Sequence, residues 1–562
     1  MSRPSHGHPP AAIPAAGWLA AYQPRWLGAD LVAGITLAAY AIPVSLAYAG
    51  LAGLPPEAGV YGYLLGGLGY ALLGSSRQLA VGPTSAISLM VGVTVAQMAG
   101  GDPARHVAIA TLTAFLVAAL AGVAWLLRLS ALTSFISETI LVGFKAGAAL
   151  SIAATQLPAL LGVPGGGAGF FTRLAAVAGQ LGAAQPVALA VGLAAIALLL
   201  AGERFLPGRP VALLVVALAI AAVARTPLGH SGLALVGRVP SGLPEIGLPA
   251  LRPRDVDGVI PLAAACLLLA YIEGVSAART FAAKHGDPLD VRQELLGLGA
   301  ANLLAALGGG YPVAGGLSQS AVNEKAGAKT PLALVVASAT LALCLVFLTG
   351  LVQNLPRAVL AAIVLVAVKG LVDLRELAHL RRASPLEFHV ALVAFAAVLL
   401  LGILKGVLIA AVASILLLLR RTANPHVAFL GRMPGTRRFS DVARHPDNER
   451  ADGVLAFRVE AALLYFNAEH VLATVRDRVG VEEPPPRVVI CDLSTSPYVD
   501  LAGARMLRTL ADELTSRGIA FRVTDARGAT RDLLRDEGLE ATTGRIDRVT
   551  SVADVVDELA GA

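Results

Sequence analysis

The sequence has few charged residues, and this shortage excludes broad classes of protein. Only 15% of its 562 residues are charged, whereas ordinary soluble domains reach about 25%. Hydrophobic residues make up 56% of the chain, which excludes an intrinsically disordered protein and a collagen-like one. A single soluble enzyme is excluded on the same grounds.

Cysteine and the common catalytic motifs are also scarce. The three cysteines, Cys266, Cys344 and Cys491, are far apart in sequence, so we expect neither a disulfide framework nor a zinc site. The chain lacks the phosphate-binding loop, the His-Glu-x-x-His zinc motif and the Gly-x-Ser-x-Gly nucleophile turn. We therefore expect no enzymatic activity, no ATP-driven pumping, and no bound cofactor or metal.

The charges that are present divide the chain into two unlike parts. Residues 1–420 carry 25 basic and 16 acidic residues, and the much shorter remainder carries 19 and 22, so each part holds 41 charges. The positive excess of the first part lies between apolar runs, where it sets membrane topology and does not indicate nucleic-acid binding. The predicted organisation is an N-terminal cytoplasmic segment at 1–27, a transmembrane domain at 28–420, a linker at 421–452 and a cytoplasmic domain at 453–562.

Fourteen apolar stretches are candidates for membrane spans, since a helix of about 20 residues crosses a bilayer core of about 30 Å. They lie at 28–48, 56–74, 83–99, 106–127, 134–158, 180–202, 210–224, 258–279, 293–308, 316–327, 331–351, 355–371, 386–402 and 404–420. The tenth is too short to cross as one helix, so hydropathy alone indicates twelve to fourteen spans.

The distribution of Lys and Arg orients these spans. With a cytoplasmic N-terminus, sixteen basic residues lie on the cytoplasmic side and eight on the other side, half of those eight in the long loop at 225–257. Short cytoplasmic loops are rich in Lys and Arg, and long exported loops count less. The bias predicts a multi-pass protein of the inner (plasma) membrane with both termini in the cytoplasm.

Two spans are interrupted by segments that contain Gly and Pro. Residues 78–86 lead through Gly82 and Pro83 into a helix, and residues 308–320 allow a helix only from about Leu317 or Ser318. Each helix start would lie at membrane depth with free N–H groups and a positive dipole end, which together favour an anion. The interruptions occupy corresponding positions, the third and tenth spans, as in transporters built from inverted repeats. Either interruption alone could be a tight loop between ordinary helices, but the pair favours a binding site.

One carboxylate lies deep within an apolar stretch. Glu273 falls in the eighth predicted span, where an ionised acid must be paired, hydrated or protonated, and where such residues mark ion or proton pathways. The alternative is a structural role, with Glu273 paired to a backbone group or to Lys145. We favour proton coupling for Glu273, and packing or an ion pair for Lys145.

Several motifs resemble the SulP anion transporters (solute carrier family 26). The resemblance covers the whole membrane region, and the combination of motifs is highly specific. The matching segments are Asp30–Ala38, Ile42–Tyr61, Gly74–Pro83, Phe135–Ser137, Gly143–Gly147, Arg279–Ala282 and Ser318–Asn323.

This resemblance implies a polytopic α-helical fold of 14 segments arranged as 7+7 inverted repeats. Spans 1–4 and 8–11 would form a core that moves like an elevator against a gate of spans 5–7 and 12–14, in a homodimer. The anion would bind between the third and tenth half-helices. The candidate anion-binding residues are Val44, Thr84, Ser85, Ala86, Gly316, Leu317, Ser318 and Gln319.

Departures from the family pattern affect both the anion and the coupling ion. Val44 replaces a frequent Gln, and Gln319 replaces the Arg common in plant-type sulfate carriers, which leaves more of the binding to backbone N–H groups. Ala277 occupies the cation-site position where sodium-coupled bicarbonate relatives have Thr, and Glu273 replaces their Asp. The pattern is more like that of proton-coupled members, so we favour H⁺/anion symport over Na⁺ symport.

The anion itself stays open among sulfate, bicarbonate and C4-dicarboxylates, and we favour sulfate. Exchange transport and an anion channel on the same fold are alternatives. A membrane-bound signalling protein is the alternative from another class.

The C-terminal part alternates strand and helix patterns, which predicts a small α/β domain. Asp492–Gly503 resembles the STAS domain that follows SulP membrane domains and occurs in anti-sigma-factor antagonists, and Leu464–Ala468 resembles the SulP version. Ala502 occupies the position of the phosphorylated Ser of the regulatory relatives. The resemblance therefore implies dimerisation, or docking of a cytoplasmic regulator, and not a phosphorylation switch.

Overall fold

The computed structural model describes residues 18–130, 138–167, 169–206, 210–237, 242–249, 252–347 and 349–560. The chain divides into two compact units, Met1–Ser414 and Ile415–Ala562. The predicted motif Phe135–Ser137 and most of the predicted N-terminal segment lie outside the described residues.

Helices dominate the first unit, and each of the fourteen predicted spans corresponds to one of them. They are α1 (Leu27–Leu51), α2 (Pro56–Leu73), α3 (Ser85–Ala99), α4 (Pro103–Leu126), α5 (Glu138–Leu161), α6 (Phe170–Gly179), α7 (Pro186–Phe205), α8 (Val211–Arg225), α9 (Pro253–His285), α10 (Val291–Leu307), α11 (Leu317–Lys325), α12 (Leu332–Phe347), α13 (Thr349–Val352), α14 (Arg357–Lys369), α15 (Leu374–Ala383), α16 (Pro385–Leu401) and α17 (Ile403–Ala423). The short helices α6, α13 and α15 were not predicted as separate elements.

Among the described residues, six helices are long and apolar enough to cross a membrane by length and composition, namely α1, α4, α5, α7, α9 and α17. Five shorter helices, α3, α6, α8, α12 and α16, are also apolar. The helix α3 begins two residues after the start of its predicted span because its N-cap residue, Thr84, is extended. A polytopic helical membrane domain is therefore the fold of this unit.

The helices of the first unit pack in two groups. In one group α10 lies against α2 and α4, and α12 lies against α1 and α2; in the other, α5 lies against α14 and α16, and α7 against α14. Glycine permits the closest approaches, since a Cβ on Gly69 would overlap the Ala300 carbonyl oxygen and one on Gly143 would overlap that of Ala391. The assignment of these groups to a moving core and a gate remains a prediction.

Two short strands form the irregular part of the membrane unit. Strand β1 (Val81–Gly82) precedes α3, and strand β2 (Ala314–Gly315) precedes α11. They pair antiparallel, with Val81 opposite Gly315 and Gly82 opposite Ala314. Their backbone groups hydrogen-bond to each other within the protein, which is how non-helical backbone is tolerated at membrane depth.

The second unit is an α/β domain, as predicted. Its sheet has the order β4-β3-β5-β6-β7, in which β5, β6 and β7 run parallel and β3 is antiparallel to β4 and β5. The strands are β3 (Val427–Arg432), β4 (Phe439–Asp441), β5 (Val454–Val459), β6 (Val488–Asp492) and β7 (Ala520–Thr524), and the helices are α18 (Ala468–Val481), α19 (Leu501–Ser516), α20 (Gly528–Asp536), α21 (Leu539–Thr543) and α22 (Val552–Ala560). Phe457, Cys491 and Phe521 are fully buried in its core.

The predicted linker at 421–452 is wrong, and so is the start of the soluble domain at 453. This segment contains the end of α17 and the strands β3 and β4, which belong to the sheet. The burial of β3 does not alternate strictly between two faces, and β4 has only three residues. Period-2 patterning therefore does not reveal them. Strand β3 pairs with β5, and β4 pairs with β3.

Candidate functional site

The strands β1 and β2 bring two helix N-termini together. Helix α3 begins at Ser85 and helix α11 at Leu317, each a few residues after its strand. The N-cap residues, Thr84 and Gly316, are extended, and neither helix has a side-chain cap hydrogen bond. First-turn N–H groups have no partner within their own helix, so both positive helix ends remain available to a negative ligand.

The hydroxyl of Thr84 adds a hydrogen-bonding group at this point. Its Oγ1 atom is buried and has no hydrogen-bond partner among the described residues. Buried polar groups are almost always paired, and an exception calls for a specific explanation. A bound anion would accept a hydrogen bond from this hydroxyl.

The side chain of Gln319 hydrogen-bonds to the backbone at the two strands. Its Nε2 atom donates to the Ala80 and Ala314 carbonyl oxygens, at 3.0 Å each. An amide nitrogen has two hydrogens, so both are occupied and none is left to donate to an anion. Through these two hydrogen bonds, Gln319 links the residue before β1 to strand β2. This link fixes the distance between the two helix starts.

Ser320 makes a second link of the same kind. Its Oγ atom donates to the Gly316 carbonyl at 2.7 Å and accepts from the Ala80 N–H at 2.9 Å. A shell of buried amides continues this support, because Asn302 pairs with both backbone groups of Val313 at 3.0 Å. Sequence reasoning missed Asn302 and Ser320, although polar residues within apolar spans were a signal for them.

A cavity of about 170 Å³ lies in front of the two helix starts. All ten residues predicted for the anion and cation sites line it: Val44, Thr84, Ser85, Ala86, Glu273, Ala277, Gly316, Leu317, Ser318 and Gln319. Further lining comes from Tyr40, Tyr48, Pro83, Lys145, Ser276, Ala367, Gly370 and Leu371. Their roles in binding remain predictions, but the fold brings them to one place.

Glu273 and Lys145 are the charged residues among those that line the cavity. Glu273 comes from α9 and Lys145 from α5, and the charge of Lys145 acts on the Glu273 carboxyl group. Both side chains are partly exposed, and in the described part of the chain neither is within 4.0 Å of an oppositely charged partner. Lys145, predicted to serve packing or an ion pair, is thus a cation on the cavity wall.

Two other carboxylates are buried and satisfied. Glu294, 3% exposed, accepts hydrogen bonds from the Tyr70 hydroxyl at 2.8 and 2.9 Å, the Ser75 N–H at 2.9 Å and the Ser75 hydroxyl at 2.7 Å. It also accepts from the Ser76 N–H at 3.2 Å. The bonds hold the turn that leads from α2 to β1, so Glu294 positions the site without lining the cavity.

Asp30 has a similar role at the start of α1. It is fully buried and accepts from the Lys329 N–H at 2.7 Å, the Thr330 N–H at 3.1 Å and the Thr330 hydroxyl at 2.7 Å. These donors lie in the loop that follows α11. The bonds therefore fix the far end of the half-helix whose start faces the cavity.

The sequence matches two protein-family models. The sulfate permease family model matches residues 27–394, which include every residue lining the cavity. The STAS domain model matches residues 445–552, which include β5, β6 and β7.

Similar proteins and structures agree with these matches. The chain is 37% identical over 520 residues to a probable sulfate transporter of Mycobacterium tuberculosis, with 92% of each chain covered. It is 30% identical over 557 residues to the chloroplastic sulfate transporter 4.1 of Arabidopsis thaliana, with 95% of this chain and 80% of the relative covered.

Among solved structures, the fold is similar to the murine solute carrier 26 family member A9 anion transporter in the inward-facing state. The TM-score is 0.89 at 21% identity, with 100% of this chain and 97% of the other covered. The transmembrane domain of a cyanobacterial bicarbonate transporter is similar at a TM-score of 0.61 and 22% identity, with 70% of this chain and 98% of the other covered.

Proposed function

The chain belongs to the sulfate permease family, and from this premise we propose that it is a secondary active transporter that takes up sulfate together with protons. The family consists of membrane anion transporters, and the chain is one of them and not an enzyme. Its multi-pass membrane domain is followed by a STAS domain. The proposal adds the anion, the coupling ion and the mechanism.

One observation carries the proposal, the meeting of two helix N-termini without side-chain caps at one cavity. The starts of α3 and α11 face it together with the unpartnered Thr84 hydroxyl. Backbone N–H groups and a hydroxyl are donors, which suits an oxyanion that presents acceptor oxygens. The names of the relatives favour sulfate among the oxyanions.

Glu273 and Lys145 give a physical reason for coupling to protons. With Glu273 ionised, its charge opposes the entry of an anion and offsets the positive charge of Lys145. Protonation of Glu273 removes that repulsion and leaves Lys145 as a net positive charge in a poorly screened cavity. The anion and the proton therefore favour each other's binding, and the loaded cavity carries less net charge across the membrane.

Sodium coupling is the second candidate, and the cavity has few oxygen ligands for a sodium ion. Hard cations of this kind take oxygen ligands, whereas Ala277, one turn along α9 from Glu273, contributes only a methyl group. Ser276 and Glu273 supply oxygens, but Lys145 places a competing positive charge at the same cavity. Proton coupling is therefore the better account.

The origin of the lining residues supports the proposed elevator movement. Val44 lies on α1, Glu273 on α9, and Thr84 and Gly316 precede α3 and α11. Helices α3, α9 and α11 contact α1 or α4 of the first packing group, whereas Lys145 lies on α5 of the second. Sliding of the first group against the second would carry the helix starts and the anion together. The proposed setting is a homodimer in the inner membrane with both termini in the cytoplasm, where the STAS domain takes part in dimerisation or binds a regulator.

The test is sulfate uptake by the purified full chain in proteoliposomes with an imposed pH gradient. We expect acid outside the vesicles to accelerate and concentrate sulfate uptake, and Glu273→Gln to remove the dependence on the gradient while sulfate binding persists. Glu203→Gln, at an exposed position on α7, is the matched control. Sulfate accumulation that ignores the pH gradient would refute proton symport, and accumulation driven by a sodium gradient would establish the second candidate.

A counterflow screen with bicarbonate and C4-dicarboxylates tests the anion. Vesicles loaded with unlabelled anion should accumulate labelled sulfate if the loaded anion shares the site. Stronger counterflow by bicarbonate or a dicarboxylate than by sulfate would overturn the choice of sulfate.

A further inference from the structure

A second cavity of about 170 Å³ lies in the membrane unit, beyond the first along α3. Helix α3 lines it with Met90, Val93 and Gln97, among others. The remaining wall comes from α5, from the start of α6 and from the connection between α16 and α17. No residue of the second cavity lines the first.

The two cavities share one face of α3. Ala86 lines the first cavity, and Met90, Val93 and Gln97 follow it at spacings of four, three and four residues. Residues spaced three or four apart lie above one another on a helix. At a rise of about 1.5 Å per residue, Gln97 lies about 16 Å from Ala86 along the helix axis.

Buried apolar side chains separate the two cavities. Leu89 and Met90, 3% and 1% exposed, form the wall of the second cavity that is nearer to Ala86. Helix α5 also borders both cavities, through Lys145 and Ser151. The second cavity therefore lies between the same two helices, α3 and α5, and at the C-terminal end of α3.

The wall of the second cavity is positive. Arg173 and Lys405 line it, and no Asp or Glu is among its described lining residues. Neither cation has an ion pair within 4.0 Å in the described part of the chain. Thr94, Gln97 and Ser151 add side chains that can donate hydrogen bonds.

We propose that this second cavity is an entry site for the transported anion, in which Arg173 and Lys405 hold a divalent oxyanion before it reaches the helix starts. A concave site lined by charges of one sign raises the local concentration of the opposite ion and its rate of association. Two cations match the two negative charges of sulfate. The predicted topology places this end of α3 on the side opposite the cytoplasm, where the anion enters.

The inference depends on the proposed uptake of sulfate, so the wild-type chain is measured first. In proteoliposomes, Arg173→Gln combined with Lys405→Gln should raise the KM for external sulfate by about tenfold, with little change in kcat. Rising ionic strength should raise the wild-type KM more than that of the double variant. Arg225→Gln, which removes an exposed cation at the end of α8, is the matched control.

Charge restoration separates an electrostatic role from a structural one. In Arg173→Cys, a membrane-impermeant methanethiosulfonate that adds a trimethylammonium group should lower the raised KM, and one that adds a sulfonate should raise it further. Wild-type protein treated in parallel accounts for the native cysteines, of which Cys344 is half-buried and the other two are buried. A KM that responds equally to both reagents would assign Arg173 a structural role and overturn the entry site.

The remaining outcomes are also distinct. If the wild type takes up sulfate and the double variant matches it in KM at low and high salt, the entry site is refuted and the proposed function stands. If the wild type takes up no sulfate under a pH gradient, the proposed function fails first.

Discussion

The two units of the chain carry 40 and 42 charged residues, and representative charges of the two units are used in different ways. In the soluble unit, charges pair at the surface, as Arg437 does with Asp554 at 2.7 Å and with Asp557 at 2.9 Å. In the membrane unit, Asp30 and Glu294 are buried and accept hydrogen bonds from backbone N–H groups and hydroxyls. The Arg437 pairs are therefore solvated, whereas Asp30 and Glu294 act as buried acceptors for several donors at once.

The difference follows from the cost of taking a charge out of water. An exposed ion pair contributes little, because water and salt screen it, so its loss is tolerated. A buried carboxylate is stable only with a full set of donors, and removing part of that set leaves polar groups unpaired. The number of charges in a region is therefore no guide to how much each one matters.

The largest expected effect is at Glu294. Glu294→Gln replaces one carboxylate oxygen by an NH₂ group that faces the donors Tyr70 and Ser75, and it should lower the free energy of unfolding by about 3 kcal/mol. The turn before β1 should loosen as well, so sulfate uptake should fall. Urea unfolding in detergent and proteoliposome uptake measure the two effects.

Glu203→Gln is the control for Glu294, since it removes an exposed carboxylate from the same unit. Its stability should stay within about 0.5 kcal/mol of the wild type. If Glu294→Gln and Glu203→Gln lowered the free energy of unfolding equally, the distinction between buried and exposed charge would be contradicted.

A smaller effect is expected at Asp30. Asp30→Asn keeps one oxygen as an acceptor for the Lys329 and Thr330 N–H groups. The free energy of unfolding should therefore fall by only about 1–2 kcal/mol. Thr330→Val removes one of the same hydrogen bonds from the other side. A double-mutant cycle should give a coupling of at least about 0.5 kcal/mol, and additive losses would show that the pair does not interact.

The smallest effect is expected at Arg437 in the soluble unit. Arg437→Gln should leave hydrogen exchange in β3 to β7 of the full chain almost unchanged at neutral pH, because the pair with Asp554 is exposed. Faster exchange throughout the sheet would show that this surface pair holds the domain together.

The same pair gives a pH window. Hydrogen bonds from the Ser551 hydroxyl and N–H, followed by one from Arg437, lower the pKa of Asp554 to about 2. A carboxyl whose folded pKa is lowered contributes stability above its unfolded pKa of about 3.9, and that contribution is lost as the pH falls towards 2. The effect of Asp554→Asn on exchange should therefore be full above about pH 4 and decline as the pH falls towards 2, and an effect that grows below pH 3 would contradict the assignment.

Much of the fold was predictable because hydropathy and charge reflect the solvent of each segment. The fourteen apolar stretches each became a helix, and the break before α3 and the one before α11 fell where Gly and Pro interrupt the pattern. The strands β3 and β4 were missed, since β3 depends on pairing with β5 and β4 on pairing with β3, and not on a local pattern.

The sequence predicted which residues line the candidate site, but not which groups each side chain contacts. The breaks at Gly and Pro and a lone carboxylate located the cavity, because non-helical backbone and charge are both costly in a membrane unless they serve a site. Gln319 has its amide hydrogens occupied by backbone carbonyls, and Lys145 lines the cavity. Neither fact has a sequence signal, because both depend on which segments become neighbours.

The sequence by itself determined that the chain belongs in a membrane, where its apolar helices lie, and where those helices are interrupted. Those features arise from local composition, since a bilayer excludes charge and unpaired backbone wherever they occur. Only the tertiary structure decided the partners, such as Tyr70 with Glu294, 224 residues apart, and Asp30 with Thr330, 300 apart. A hydrogen bond depends on distance and direction in space, and helix packing sets both.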